Sequence, residues 1–340
     1  MLPIKADRIE SAEILRGIAA FAVAWFHFTC GNPAFLSEGS LLWLSGSRGY
    51  LGVHLFFVIS GFVIPYSLSR RKYLFPNDAL SFFIRRVVRL EPAYLCSIVL
   101  TVGLWALSAL IPGSNAILPP IVIFKSMALQ IAYLAPWFHV PWILPVYWSL
   151  AIEIQYYLFM ILLCPLLLSQ RPSHVRLFLT ATAVLSLSFS DDRLFLMFLP
   201  LFGLGFVRFL AAERRLAKFE LFGWTCVFAA LGVYVIGTPE TAAGIFALAV
   251  LFIPINRPVF LLSKLGAISY SLYLVHVPVG GKIINFATRL PNVWYVQLSA
   301  LIIASLITVA AAYVFWRFIE QPTKALSHRM DLGSTKPAAV

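Results

Sequence analysis

Apolar runs of about twenty residues recur from one end of this chain to the other, long enough for an α-helix to cross the hydrocarbon core of a bilayer. One of them, "RGIAAFAVAWFH" (Arg16 to His27), opens with an arginine and closes with a histidine. Of the 340 residues, 61% are hydrophobic and only 12% charged, with a mean hydropathy of +0.88. A soluble domain has about a quarter of its residues charged. The fold class expected is therefore an all-α, polytopic membrane protein. Arg16 interrupts the first run and no small-residue cleavage site follows it, so it does not read as a cleaved signal peptide.

Ten spans are expected, at 11–30, 52–69, 92–112, 146–169, 175–190, 193–212, 218–237, 241–255, 265–288 and 294–318. Segment 117–135 is also apolar but carries Pro119, Pro120 and Lys125, and re-entrant, interfacial and spanning placements all stay open for it. The net charge of +12 comes from basic residues in short loops, the distribution of the positive-inside rule and not of a nucleic-acid binder. Alternate loops differ sharply: Arg70, Arg71, Lys72, Arg85, Arg86 and Arg89 lie between the second and third spans, whereas Arg48 and Glu38 lie between the first and second. If 117–135 does not cross, both termini are cytoplasmic and about ten helices form one bundle in the cell (inner) membrane.

Residues 76–90, "PNDALSFFIRRVVRL", read as a helix lying on the inner face. Residues 1–322 then form one membrane domain and 323–340 a short, mobile cytoplasmic tail, with no further domain appended. Cys30, Cys96, Cys164 and Cys226 fall in apolar segments without a CxxC pair, and read as small buried hydrophobes.

Charged and titratable groups inside spans are costly and are functional candidates by default. Eleven residues separate Arg16 from His27, which returns the helix to within ~20° of the same face, ~16 Å further along. The two groups share one stripe, consistent with a polar channel, although Arg16 alone also fits a side chain reaching back to the headgroups. Glu153, in "YWSLAIEIQYYLF", lies at a depth similar to His27 and is expected to orient that imidazole and steady its charged form. His54 enters the second span at comparable depth. His276 lies near the middle of the ninth, beside Ser269, Tyr270, Ser271 and Tyr273, hydroxyls that also suit helix packing. No HExxH or comparable spacing supports a metal, and no GxSxG, phosphate-binding glycine loop or Rossmann fingerprint is present.

Six segments in order carry a family resemblance: "RIESAEILRGIAAFAVAWFH", "GYLGVHLFFVISGFVI", "FFIRRVVRLEPAYL", "YWSLAIEIQYYLF", "SYSLYLVHVPV" and "YVFWRFIEQP". Together they resemble the membrane-bound acyltransferase-3 family from Arg8 to Thr323. The resemblance implies acyl transfer, commonly of acetyl from acetyl-CoA, to extracytoplasmic carbohydrates and other acceptors. It makes His27 the catalytic histidine, Arg16 its partner on the donor side, and Arg86 and Arg89 the family's RxxR motif. Guanidinium groups suit the donor's phosphates, while membrane anchoring stays open for the same two arginines and accounts for Arg70, Arg71 and Lys72. Tyr270, His54 and His276 are possible supporting residues. Many relatives carry an aspartate where this chain has His54, so either His54 substitutes for it or Glu153 acts alone.

The function expected is an integral-membrane O-acyltransferase with acyl-CoA as donor, no metal, and an exopolysaccharide or its lipid-linked precursor as acceptor. The alternative is a proton-coupled transporter, since intramembrane Arg, His and Glu suit that too, although no inverted repeat is visible. The aromatic segment 133–142, "YLAPWFHVPW", fits an interfacial belt or a platform for sugar rings.

Overall fold

A computed structural model describes residues 9–110, 127–189, 191–255 and 259–330. The described residues form helices and no strand, as lipid demands of a backbone that cannot bond to water. In chain order the helices are α1 (Glu10–Cys30), α2 (Leu41–Gly46), α3 (Gly52–Arg70), α4 (Ala79–Ala109), α5 (Trp148–Leu168), α6 (Pro172–Leu187) and α7 (Leu199–Ala212). There follow α8 (Lys218–Val235), α9 (Thr238–Phe252), α10 (Phe260–Ala267), α11 (Ser269–Val275), α12 (Gly281–Ala287), α13 (Trp294–Phe315) and α14 (Gln321–Arg329). A π-helical turn, His276–Gly280, joins α11 to α12, and another, Trp316–Glu320, joins α13 to α14.

Seven helical segments among the described residues are long and apolar enough to cross a membrane, or eight if α10 and the α11–α12 run, bent by 59°, make one span. The remaining two of the ten expected spans fall on shorter helices: α6, with 16 residues, and α9, with 15. Large exposed apolar side chains, such as Phe219, Phe222 and Tyr234 on α8, turn outward as a lipid-facing surface requires. Of the four cysteines only Cys164 is buried, while Cys96 and Cys226 are exposed on the bundle surface.

Three expectations change. The helix placed on the inner face at 76–90 is not a separate element: α4 runs unbroken for 31 residues through Pro92, so Arg85, Arg86 and Arg89 occupy the first third of a spanning segment. The mobile tail placed at 323–340 begins instead as an ordered helix, since α14 packs along α4 and buries Ser327; residues 331–340 lie outside the described residues. Segment 133–142 is only partly a belt. Trp137 and Phe138 are exposed, but Tyr133 stacks on Tyr94 of α4 (5.1 Å between rings) and donates a 2.7 Å bond to Glu91. Most of 117–135 lies outside the described residues.

Arg193 pins the exposed part of that segment. Its guanidinium lies 4.9 Å from the Trp137 ring centre and makes a bidentate pair with Asp191. Those hydrogen bonds hold the Asp191 carboxyl down at about 2.

Among the close backbone approaches that set the helix positions, two frame the site. A methyl group at Gly61 of α3 would collide with the Phe202 carbonyl of α7, and one at Gly205 with the Val58 carbonyl and with Gly61. Small residues let helices meet this closely in a membrane, where van der Waals packing replaces the hydrophobic drive. Next to this seam Tyr156 of α5 stacks on Phe202 at 4.0 Å. The second approach joins α1 to α10. A Cβ at Gly17 would lie 2.7 Å from the Gly266 nitrogen, and one at Gly266 would strike the Glu13 carbonyl. It fixes the turn of α1 that carries Arg16.

A methyl at these seams has only backbone to displace, whereas Gly103 has nothing within 4 Å. Gly61→Ala and Gly205→Ala are each expected to cost about 3 kcal/mol or more, the upper range of overpacking, and Gly103→Ala to be neutral or slightly stabilising. Thermal unfolding of the three variants in one detergent, followed by tryptophan fluorescence, checks the contrast.

Candidate functional site

The basic ends of α3, α4 and α14 meet around one cleft, lined by Ser67, Arg71, Phe82, Arg85, Arg86, Arg89, Ser327 and His328. Arg85, Arg86 and Arg89 reach it from successive turns of α4, because residues three and four apart share a helix face. Arg71 comes from the residue closing α3. The sequence treats Arg71 as an anchor with Arg70 and Lys72, yet it stands here with the RxxR pair.

Three ion pairs are formed among the described residues: Arg70–Glu213, Arg176–Glu220 and Arg193–Asp191. None involves Arg16, Arg71, Arg86 or Arg89. Arg86 instead lies over the rings of Phe82 (5.3 Å) and Tyr157 (5.4 Å), contacts that favour a cation through the π face. Arg89 is within electrostatic reach of Arg86 and Arg16 and of Glu320, and Lys324 of Arg89 and Arg16 and of Glu13 and Glu320. Arg16 is half-buried and its Nε has no partner. Like charges that outnumber the nearby acids, and form no ion pair with them, raise the energy of the empty site in a partly desolvated place, and a bound anion lowers it.

From this cleft a line of polar side chains leads into the bundle. Tyr157 donates its hydroxyl to Oε1 of Glu153, one turn away on α5. Glu153 is within electrostatic reach of Tyr270 and Tyr273 on α11. Tyr270 donates a 3.0 Å bond to the Leu90 carbonyl, tying α11 to α4 beside the RxxR pair. The Tyr273 hydroxyl lies 2.7 Å from Ser149 Oγ and 3.0 Å from the Val146 carbonyl. Its ring is 5.8 Å from that of His276, and the His276 ring is 5.1 Å from that of His27.

The two histidines differ in their freedom. Nδ1 of His276 lies 3.1 Å from the Leu272 carbonyl, which can only accept, so the proton sits on Nδ1 and Nε2 keeps its lone pair. That Nε2 is buried and has no partner. His27 is half-buried, and its ring nitrogens make no hydrogen bond among the described residues. His276 opens the π-helical turn, an irregularity frequent at functional sites. At the end of that turn Gly280 admits the Phe28 ring, which holds α1 against this helix next to His27.

The partner expected for His27 is thus not the one it meets. Glu153 makes neither an ion pair nor a hydrogen bond with His27; its acceptor oxygen is taken by Tyr157. His54 stands apart, among Tyr50, Phe57 and Phe198, with Nδ1 buried and unpartnered. Tyr50 donates a 3.2 Å bond to Glu240 there. Arg16, Arg86, Arg89, Glu153 and Tyr270 gather around the inner end of the cleft, and His27 and His276 lie beyond them.

Two acids escape the sequence argument. Glu91 accepts from Tyr133 in the same layer as Tyr270. Glu320, 5% exposed, accepts from both the amide (3.2 Å) and hydroxyl (2.6 Å) of Ser271, and so locks the second π-helical turn to α11. Both sit inside segments of family-like sequence; Glu91, between Leu90 and Pro92, carries the signal that singled out Glu153, a carboxylate flanked by apolar residues, whereas Gln321 follows Glu320. No group of three or more His, Cys, Asp or Glu among the described residues is placed to hold a metal ion.

A family model described as an acyltransferase domain matches residues 9–317. The O-acetyltransferase OatA of Staphylococcus aureus, in strain NCTC 8325 and in strain COL, is 29% identical over 335 residues, covering 83% of this chain and 53% of the relative. The chain thus spans about half the length of the curated relatives it matches. No solved structure matches it.

Because Arg89 sits among cations, Arg89→Gln is expected to leave the ligand-free protein no less stable than the unaltered chain. Millimolar pyrophosphate is expected to raise the unaltered protein's unfolding midpoint by about 2 °C or more, and the variant's by less than half as much. Thermal unfolding with and without pyrophosphate, at constant ionic strength, measures both.

Proposed function

Since the chain belongs to the acyltransferase-3 family, we propose that it is an integral-membrane O-acyltransferase that moves an acyl group, acetyl by analogy with OatA, from cytoplasmic acyl-CoA to a hydroxyl of an extracytoplasmic glycan. The observation that carries this reading is the line of side chains from the arginine cleft to the His276–His27 pair. The basic end faces the cytoplasm, as the positive-inside rule requires, and both termini lie on that side of a ten-span bundle in the inner membrane. Arg86 and Arg89 hold donor phosphates by charge-assisted bonds. The acyl arm passes Arg16, Tyr157 and Glu153 and brings the thioester to His27.

There the unpartnered lone pair on Nε2 of His276 stands beside the His27 ring, 5.1 Å between ring centres, and a turn of the His27 ring as substrate enters lets it accept one His27 N–H, fix the tautomer and leave the other nitrogen as the base. That nitrogen takes the acceptor hydroxyl's proton as the oxygen attacks the thioester carbon. The C–O bond forms, the C–S bond breaks, and the imidazolium returns the proton to the departing thiolate. In the two-step version His27 attacks first and carries the acyl group before the acceptor does. Glu153, hydrogen-bonded to Tyr157, balances the charge of the nearby guanidinium groups. Tyr270 holds α11 in place, and His54 packs in a separate aromatic cluster. The acceptor is an exopolysaccharide or its lipid-linked precursor, with cell-envelope assembly as the setting. A proton-coupled transporter is the less favoured reading, because the matching family is one of acyltransferases.

Either chemical route requires His27. In purified protein given labelled acetyl-CoA and a glycan acceptor, His27→Ala is expected to slow acetyl transfer by about 10²- to 10⁴-fold, the usual worth of a general base. Transfer at the full rate in that variant overturns both routes. His276→Leu is expected to lower kcat with little change in the KM for acetyl-CoA, because it touches the base and not the donor's phosphates.

A further inference from the structure

The arginines of α4 supply one wall of the cleft, and the opposite wall comes from α14. Ser327 and His328 line the same space as Arg71, Arg85, Arg86 and Arg89. We propose that α14 is a donor-binding element, in which His328, presented by a helix that Thr323 and the buried Ser327 anchor, holds a phosphate of the nucleotide end of acyl-CoA against the arginines. This rests on the reading that the basic cleft receives the donor.

The helix is built into the bundle at both ends. It starts from the π-helical turn whose Glu320 is locked to Ser271. One turn on, the Thr323 hydroxyl lies 3.0 Å from the Glu320 carbonyl and 3.3 Å from the carbonyl of Arg89 itself. Thr323 thereby ties α14 to the backbone that presents the RxxR pair. Ser327 is 4% exposed, and its hydroxyl proton goes to the Lys324 carbonyl at 2.8 Å. His328 lies in the last turn, where the helix dipole favours a cation, and is within electrostatic reach of Arg71, Arg86, Arg89 and Lys324. An imidazole set among those cations keeps a ring N–H to donate in either protonation state, and gains an acceptor when an anion enters between the walls. The compact, multiply charged anion that arginines on one wall and an imidazole on the other fit is a phosphate group.

The test uses the full chain, purified in a neutral detergent, with CoA and pantetheine (the phosphate-free arm) as separate probes in equilibrium binding. His328→Leu is expected to weaken CoA binding about tenfold and to leave pantetheine binding unchanged, with His328→Lys restoring most of the loss. His328 is exposed, so its variants keep the fold, and Thr323→Val, which loosens the tie to Arg89, is expected to weaken CoA binding in the same direction. If His328→Leu and Thr323→Val bind CoA like the unaltered protein while Arg86→Gln does not, α14 has no part in the site and the inference falls alone. Should Arg86→Gln also bind CoA normally, the donor reading falls with it. A lipid headgroup is the other source of phosphate. Stabilisation by phosphatidylglycerol, but not phosphatidylcholine, in nanodiscs that His328→Leu removes while CoA affinity stays intact makes α14 a lipid site, and overturns the proposal.

Discussion

Positive charge in excess of the nearby acids, and ion-paired with none of them, is the constraint around which this bundle is arranged. Arg16, Arg71, Arg86 and Arg89 converge from three parts of the chain, and the ion pairs formed among the described residues lie elsewhere. The fold limits the cost by other means. Aromatic faces cover Arg86, Lys324 stays half-buried, and Glu320 offsets part of the charge on Arg89 and Lys324 from a distance while its oxygen is committed to Ser271, as those of Glu153 and Glu91 are to tyrosine hydroxyls. A site left short of anions binds one more strongly than a site already neutralised. That preference is what a donor rich in phosphate would use.

The helix seams decide where this charge can sit. Backbone contact between α1 and α10 at Gly17 and Gly266 brings Arg16 towards α4 and α14, and contact between α3 and α7 at Gly61 and Gly205 packs the wall behind the cleft. The π-helical turns then adjust the last step. One places His276 against His27, and the other swings Glu320 onto Ser271 and sends α14 back along α4. Each turn adds a residue to the helical repeat and so shifts which side chains face inward beyond it.

Legibility in the sequence was uneven, and the pattern has a physical cause. The stripe shared by Arg16 and His27 follows from helical periodicity, which is local, and both residues do lie in the uninterrupted helix α1. Glu153 was visible as an acid among apolar neighbours, but its partner was not, since the choice between His27 and Tyr157 depends on how α5 is rotated against α1. The break expected before residue 92 failed because a proline in a spanning helix loses one hydrogen bond without ending it. The polar composition of the C-terminal stretch concealed α14, whose order comes from packing on α4 through Thr323 and the buried Ser327.

By itself, then, the sequence determined a helical membrane protein, the position of its apolar segments, the family it belongs to, and the few polar side chains that lipid would not tolerate without a purpose. These are properties of composition, period and order along the chain. Only the tertiary structure decided that His27 meets His276, that Glu320 takes Ser271, that Arg71 joins the RxxR pair, and that a C-terminal helix closes the cleft. Such pairings join residues far apart in the chain, and they depend on the angles and depths at which helices pack, which no local pattern encodes.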